Sequence, residues 1–220
     1  IRALTDAVHE QGGLFALDCV ASGGIWVDMK ACGVDILLSA PQKGWSATPC
    51  AAPVMLSERA LERLAQSTSS SFACDLGKWL DIMRAYENGG HAYHATLPTD
   101  GLKVFRDAMF ETSEFGLERF MESQWDLGRR VRGVLEERGY ASVAAPGCQA
   151  PGVVVSYTDD PDIQNGSRFM KLGLQIAAGV PLMCDEGEDY RSFRIGLFGL
   201  DKLKDIDGTV QRLVNALDQL

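Results

Sequence analysis

Three short, largely apolar runs, at residues 14–17, 34–38 (interrupted only by Asp35) and 50–56, constrain this chain more than any other feature. Runs of this length without a polar residue at every second position read as parallel strands covered on both faces. Between and after them the pattern is helical. Residues 1–11 carry Ile1, Leu4 and Val8 at helical spacing and stop at Gly12 and Gly13. A helix opening at Ser57 should run to about Gln66, and residues 75–87 are helical by the spacing of Leu76, Leu80 and Met83. A long helical region with Thr99 and Asp100 as cap candidates should break near Gly116 and end about Arg138. From Tyr140 the texture becomes that of a compact α+β unit. It contains a strand over 152–157, a helix over 163–172, a strand over 193–198, and a terminal amphipathic helix over 203–220 with Ile206, Val210, Leu213, Val214 and Leu217 on one face. The class is therefore α/β, without internal repeats.

Composition narrows the partners. With 220 residues, 46% of them hydrophobic and 23% charged, the chain can bury one large core or two unequal ones. A formal charge of −9 argues against nucleic acid and anionic membranes, because phosphate binding on that scale needs a basic face. Small anionic metabolites remain accessible to single arginines. No run of 18 apolar residues is present, and the first residues lack a basic stretch followed by an apolar one, so the expectation is a soluble, cytoplasmic chain. Six cysteines are scattered without a C-x-x-C pair or a histidine–cysteine cluster, which leads us to expect reduced thiols and no metal centre.

Two residues at strand ends suggest chemistry. Asp18 closes the first apolar run, and Lys43 follows the second in the stretch Ser39-Ala-Pro-Gln-Lys43, 43 − 18 = 25 positions later. A lysine and an acid that each terminate a buried strand can hold the two ends of one polar ring, as pyridoxal phosphate requires. Four segments around and beyond them sharpen the reading. They are Asp18-Cys-Val20 with Ser22, Gly23 and Gly24; Gly33-Val-Asp35 followed by Gln42-Lys43; Tyr93-His-Ala-Thr96-Leu-Pro98; and Phe193-Arg194-Ile-Gly196-Leu-Phe-Gly199. In order and separation the four together resemble the class V aminotransferases of fold type I, in particular the alanine/serine–glyoxylate (pyruvate) aminotransferase group.

The resemblance implies part of a mostly parallel large-domain sheet with helices on both faces over residues 1–115, then a connecting helix and a small C-terminal α+β domain over 116–220. It also implies that the first helix lies near the middle of a longer subunit. The part preceding it would carry the phosphate-binding turn and the aromatic residue that stacks on the ring. The implied cofactor is pyridoxal 5'-phosphate. Lys43 would hold it covalently and then act as the base, and Asp18 would keep the pyridine nitrogen protonated. Val20 would pack on the ring face, projecting on the same side as Asp18 if the strand continues, and Gln42 would sit near the polar groups. Tyr93 and Thr96 would reach the phosphate held by the neighbouring subunit, which makes a homodimer with shared sites the expected assembly.

Arg194, in an otherwise apolar strand, would bind the substrate carboxylate as a buried fork needing an anion. The reaction implied is transfer of an amino group from an amino acid such as alanine or serine to a 2-oxo acid such as glyoxylate or pyruvate. Gln42-Lys43 distinguishes this group from relatives with histidine or asparagine before the lysine, while Ala40-Pro41 departs from the Gly-Ser usual there. The alternatives are a cysteine desulfurase-type lyase, or an inactive truncated subunit that only binds partners. For the lyase, Cys184 would be the nucleophile, but it stands 194 − 184 = 10 positions before Arg194 in a stretch, Cys-Asp-Glu-Gly-Glu-Asp, whose acidity disfavours a thiolate. His9 is expected on an exposed helix face, and His91 and His94 are too isolated to suggest a metal.

Overall fold

The structure is a computed structural model describing residues 1–220. By contact the chain forms two units. The first comprises Ile1–Val20, Val27–Pro41 and Ala47–Arg106, and the second Ala21–Trp26, Gln42–Ser46 and Asp107–Leu220. No helix is long and apolar enough to cross a membrane.

The first unit opens with α1 (Arg2–Glu10), then β1 (Ala16–Asp18), the short α2 (Met29–Cys32) and β2 (Ile36–Leu38). β1 and β2 pair in parallel, with Ala16 opposite Ile36, Leu17 opposite Leu37 and Asp18 opposite Leu38. The third apolar run forms β3 (Val54–Leu56), which pairs with β2 antiparallel and completes the order β1-β2-β3. Leu37 is buried, but β1 is open at Ala16 and Asp18, so the expected cover on both faces is only partly realised. An apolar run specifies that a strand can be covered, not which element covers it. α1 departs from its pattern too. It buries Thr5, whose hydroxyl lies between the carbonyls of Arg2 and Cys32 at 2.7 and 2.6 Å, while Ile1 and Leu4 stay exposed. The helices α3 (Glu58–Ala65) and α4 (Leu76–Glu87) start where their caps dictate. The Ser57 hydroxyl accepts from the Ala60 N–H at 3.1 Å and the Asp75 carboxylate from the Lys78 N–H at 3.1 Å.

The helix α5 (Thr99–Phe115) begins one residue earlier than a Thr99 cap would place it, with the Leu102 N–H bonded to the Pro98 carbonyl. It ends at Gly116, whose φ of 97° admits glycine readily, and α6 (Leu117–Glu137) follows. α6 is the spine of the second unit. Phe120, Leu127, Val131 and Leu135 recur along one stripe and are buried against Val154, Phe169, Phe193, Val210 and Leu213. The remaining elements are β4 (Val153–Tyr157), α7 (Pro161–Gln164), α8 (Ser167–Lys171), β5 (Ala177–Ala178), β6 (Ser192–Gly196), α9 (Leu200–Lys204) and α10 (Ile206–Leu217). The strands form an antiparallel sheet ordered β4-β6-β5.

Two expected helices are each broken. Residues 163–172 split at Asn165 and Gly166, where φ is 81°, and the terminal helix restarts at Asp205, whose carboxylate caps α10 through the Gly208 N–H at 2.9 Å. Local capping overrides a continuous apolar stripe in both places.

Candidate active site

The parallel pair β1 and β2 brings two carboxyl ends together, the edge at which open α/β sheets bind ligands. The Cys19 N–H donates to the Leu38 carbonyl at 2.8 Å, so Asp18 stands beside the last residue of β2. Asp18 is exposed, and its Oδ1 accepts the Val20 N–H at 2.8 Å. That bond turns the chain. The strand therefore stops at Asp18, and the alternation that would have projected Val20 on the same side does not extend to it.

Asp35 organises the entry to both strands. It is 2% exposed, and its carboxylate accepts from the Phe15 N–H at 2.8 Å and the Ser57 hydroxyl at 3.0 Å, with His9 Nε2 at 2.7 Å. Burial pushes this carboxyl up, but the bonds from Phe15, His9 and Ser57 outweigh it and hold the pKa below its ordinary value. His9 is thus half-buried and partnered rather than on an open face, as its sequence position had suggested. Nothing in the spacing of residues 9, 15, 35 and 57 signals this node, because it forms only when α1, β1, β2 and α3 assemble.

After β2 the Ser39 N–H bonds the Pro53 carbonyl, and the Ala47 N–H donates to the Pro41 carbonyl at 3.0 Å, closing the base of the loop that carries Gln42 and Lys43. Within the second unit, Lys43 is half-buried with its Nζ 5.6 Å from the centre of the Phe198 ring. Gln42 is exposed. Trp45 packs on Trp26 with ring centres 4.9 Å apart, and Trp26 on the buried Phe120 at 5.5 Å. Gly44 lies so close to the Gly23 carbonyl that a Cβ there would stand 2.3 Å from the oxygen, so residue 44 must be glycine for the loop to seat.

Arg194 lies in β6, opposite Val155 on one side and Ala177 on the other. It is exposed and makes no side-chain hydrogen bond or ion pair, which corrects the expectation of a buried fork. The reason is strand alternation. Phe193 is fully buried and Ile195 partly so, while Arg194 is open to solvent. In the first unit Tyr93 and Thr96 share one loop, both exposed, with hydroxyl oxygens 3.3 Å apart. The loop is pinned by His94, whose ring stacks on Phe72 at 4.1 Å and whose Nε2 lies 2.9 Å from the Phe72 carbonyl. The exposed Cys184 lies beside Glu186, which accepts the Cys184 N–H at 2.9 Å. No group of three His, Cys, Asp or Glu residues is placed to hold a metal.

No family model matches the sequence. The chain is 27% identical over 226 residues to the soluble hydrogenase small subunit of Synechococcus sp. (strain PCC 6716), covering 100% of this chain and 56% of that protein. It is 26% identical over 226 residues to the alanine–glyoxylate aminotransferase of Oryctolagus cuniculus, covering 95% of this chain and 53% of the relative. Among solved structures, the alanine–glyoxylate aminotransferase from Nostoc sp. superposes with a TM-score of 0.81 at 24% identity, over 99% of this chain and 56% of that one. The fold is that of the fold type I aminotransferases. The chain spans a little over half the length of these relatives.

Proposed function

We propose that this chain is part of a pyridoxal-phosphate-dependent transaminase that moves an amino group from an amino acid such as alanine or serine to a 2-oxo acid such as glyoxylate or pyruvate. The observation that carries the reading is the register of β1 on β2. It aligns Asp18 with Leu38, and Lys43 follows Leu38 by 43 − 38 = 5 residues in the loop leaving that strand. A carboxylate that closes one strand of a parallel pair and a primary amine in the loop that leaves the other are the donor types that a pyridinium ring bearing an aldehyde needs. The residues present fit the group. Several of the relatives are aminotransferases, which supports the reading, and one is a soluble hydrogenase subunit.

When bound, the cofactor supplies an electron sink for the bond to be broken at the substrate α-carbon. The remaining roles belong to this chain. Lys43 Nζ would take the α-proton and return it. The Asp18 carboxylate would hold the pyridine nitrogen and keep it protonated. Val20 would supply apolar surface to the ring, and Gln42 an amide to its polar groups. The Arg194 guanidinium, unpartnered and solvent-accessible, is free to take the substrate carboxylate through two parallel hydrogen bonds. Tyr93 and Thr96, whose hydroxyl oxygens lie 3.3 Å apart, would hold the phosphate bound by a second copy, which would make the working assembly a homodimer. Six free cysteines suit a reducing, cytoplasmic setting.

Lys43→Ala tests the reading. The full-length variant should lose transamination and every borohydride-trapped protein–cofactor link, because both the covalent attachment and the base are gone. A trapped link persisting in that variant removes Lys43 from the role.

A further inference from the structure

We propose that Ser46 and Phe198 are positioning residues for Lys43, forming a latch that fastens the lysine loop to the segment leaving β6. The proposal relies on the transaminase reading for what Lys43 does, and on the local geometry alone for how Lys43 is held.

Ser46 is one of three non-glycine residues with positive φ, at 55°, a region that L side chains seldom enter. Such an outlier persists where its surroundings over-determine it, and these tend to be functional loops. Here two bonds do so. The Ser46 N–H donates to the Lys43 carbonyl at 3.0 Å, closing a tight turn directly behind the lysine. The Ser46 hydroxyl accepts from the Leu200 N–H at 3.2 Å. Leu200 is the first residue of α9, so its N–H has no partner within that helix.

The second fastening is aromatic. Lys43 Nζ lies 5.6 Å from the Phe198 ring centre, within the range where a ring face attracts an ammonium. The ring itself has little freedom. A Cβ at Gly23 would come within 3.1 Å of it and one at Gly152 within 3.0 Å, so both positions leave out a side chain where the ring sits. Gly23 in turn abuts Gly44, the residue after Lys43. Lys43 and Ser46 thus rest on one short stretch, Phe198 to Leu200, which begins 198 − 194 = 4 residues after Arg194, and Gly44 rests on Gly23 beside it. The amine that moves the proton and the strand that carries the carboxylate-binding arginine are thereby held to each other.

The test is reductive methylation of the full-length protein with formaldehyde and a borohydride, read by peptide mass at Lys43 relative to the exposed Lys30 and Lys171 in the same chain. Ser46→Ala, Ser46→Gly and Phe198→Leu should each raise the Lys43 ratio about two- to five-fold, the scale of one ring–ammonium contact or one hydrogen bond. Phe198→Tyr, which keeps the ring, should leave it at the wild-type value. Ser46→Gly also relieves the backbone, so it separates loss of the hydroxyl from misfolding. Unchanged ratios in all three variants, or a parallel rise at every lysine, overturn the latch. In a second arm, borohydride-trapped uptake of pyridoxal 5'-phosphate at Lys43 should slow by a similar factor in the three variants, and unaltered uptake also counts against the latch. Wild-type protein that traps no cofactor at Lys43 refutes the transaminase reading, and the methylation ratios still decide the latch.

Discussion

Replacing Asp35 with alanine is the sharpest test of how this structure holds its site. The carboxylate is buried and gathers donors from three elements: the Phe15 N–H entering β1, His9 of α1, and Ser57 at the start of α3. Three bonds to a charged acceptor set an upper bound of about 4.5–9 kcal/mol. His9 is partly open to water and can rehydrate, so the loss expected is about 3–5 kcal/mol, as for other buried pairs stripped of one partner. With a urea slope of about 2 kcal/mol/M, the midpoint should fall by roughly 2 M, followed by circular dichroism at neutral pH.

The pH dependence carries a definite sign. The Asp35 pKa is depressed on folding, so its contribution is fully present above the unfolded carboxyl value of about 4 and disappears as pH falls through the lower folded value. The gap between wild type and Asp35→Ala should therefore shrink as pH falls below about 4. A loss under about 1 kcal/mol, or a gap that widens in acid, would show that Asp35 is not the acceptor on which these elements depend. Loss of the node should also loosen the register that sets Asp18 beside Leu38, so the variant's cofactor affinity should drop.

Arg194→Ala should raise KM for both the amino and the oxo acid by roughly 10- to 150-fold, the equivalent of about 1.5–3 kcal/mol for a charge-assisted pair, while the cofactor absorbance stays as in wild type. A changed spectrum with unchanged KM would make Arg194 structural. A Tyr93→Phe, Thr96→Val double variant should lose cofactor affinity, and mixing it with Lys43→Ala protein should restore activity above the sum of the two. One site in such a mixed dimer combines an intact lysine with intact hydroxyls from the other chain. Strict additivity after demonstrated subunit exchange would count against shared sites.

Elements set by short-range chemistry were legible in advance. Helices were expected to open at Ser57 and Asp75, which are the caps of α3 and α4, and the break before α6 was expected near Gly116, since each involves residues within one turn of one another. The three apolar runs became β1, β2 and β3, each starting later than its run, with β1 ending one residue beyond it. The direction of β3 was not legible, because an apolar run looks the same in a parallel or an antiparallel neighbour. Arg194 was misjudged for a related reason. Its apolar neighbours suggested burial, but in a strand adjacent residues face opposite ways, and only the sheet decides which face meets the core.

The residues proposed for the chemistry, Asp18, Lys43, Arg194, Tyr93 and Thr96, could be picked out from the chain, because reactive groups are properties of individual side chains. How they are held is not. The Asp35 node joins residues 9, 15, 35 and 57, and the lysine loop leans on residues 23, 198 and 200. Hydrogen bonds and ring contacts act over a few ångströms, and the segments that meet at that range are far apart along the chain, so only the tertiary structure could bring them together.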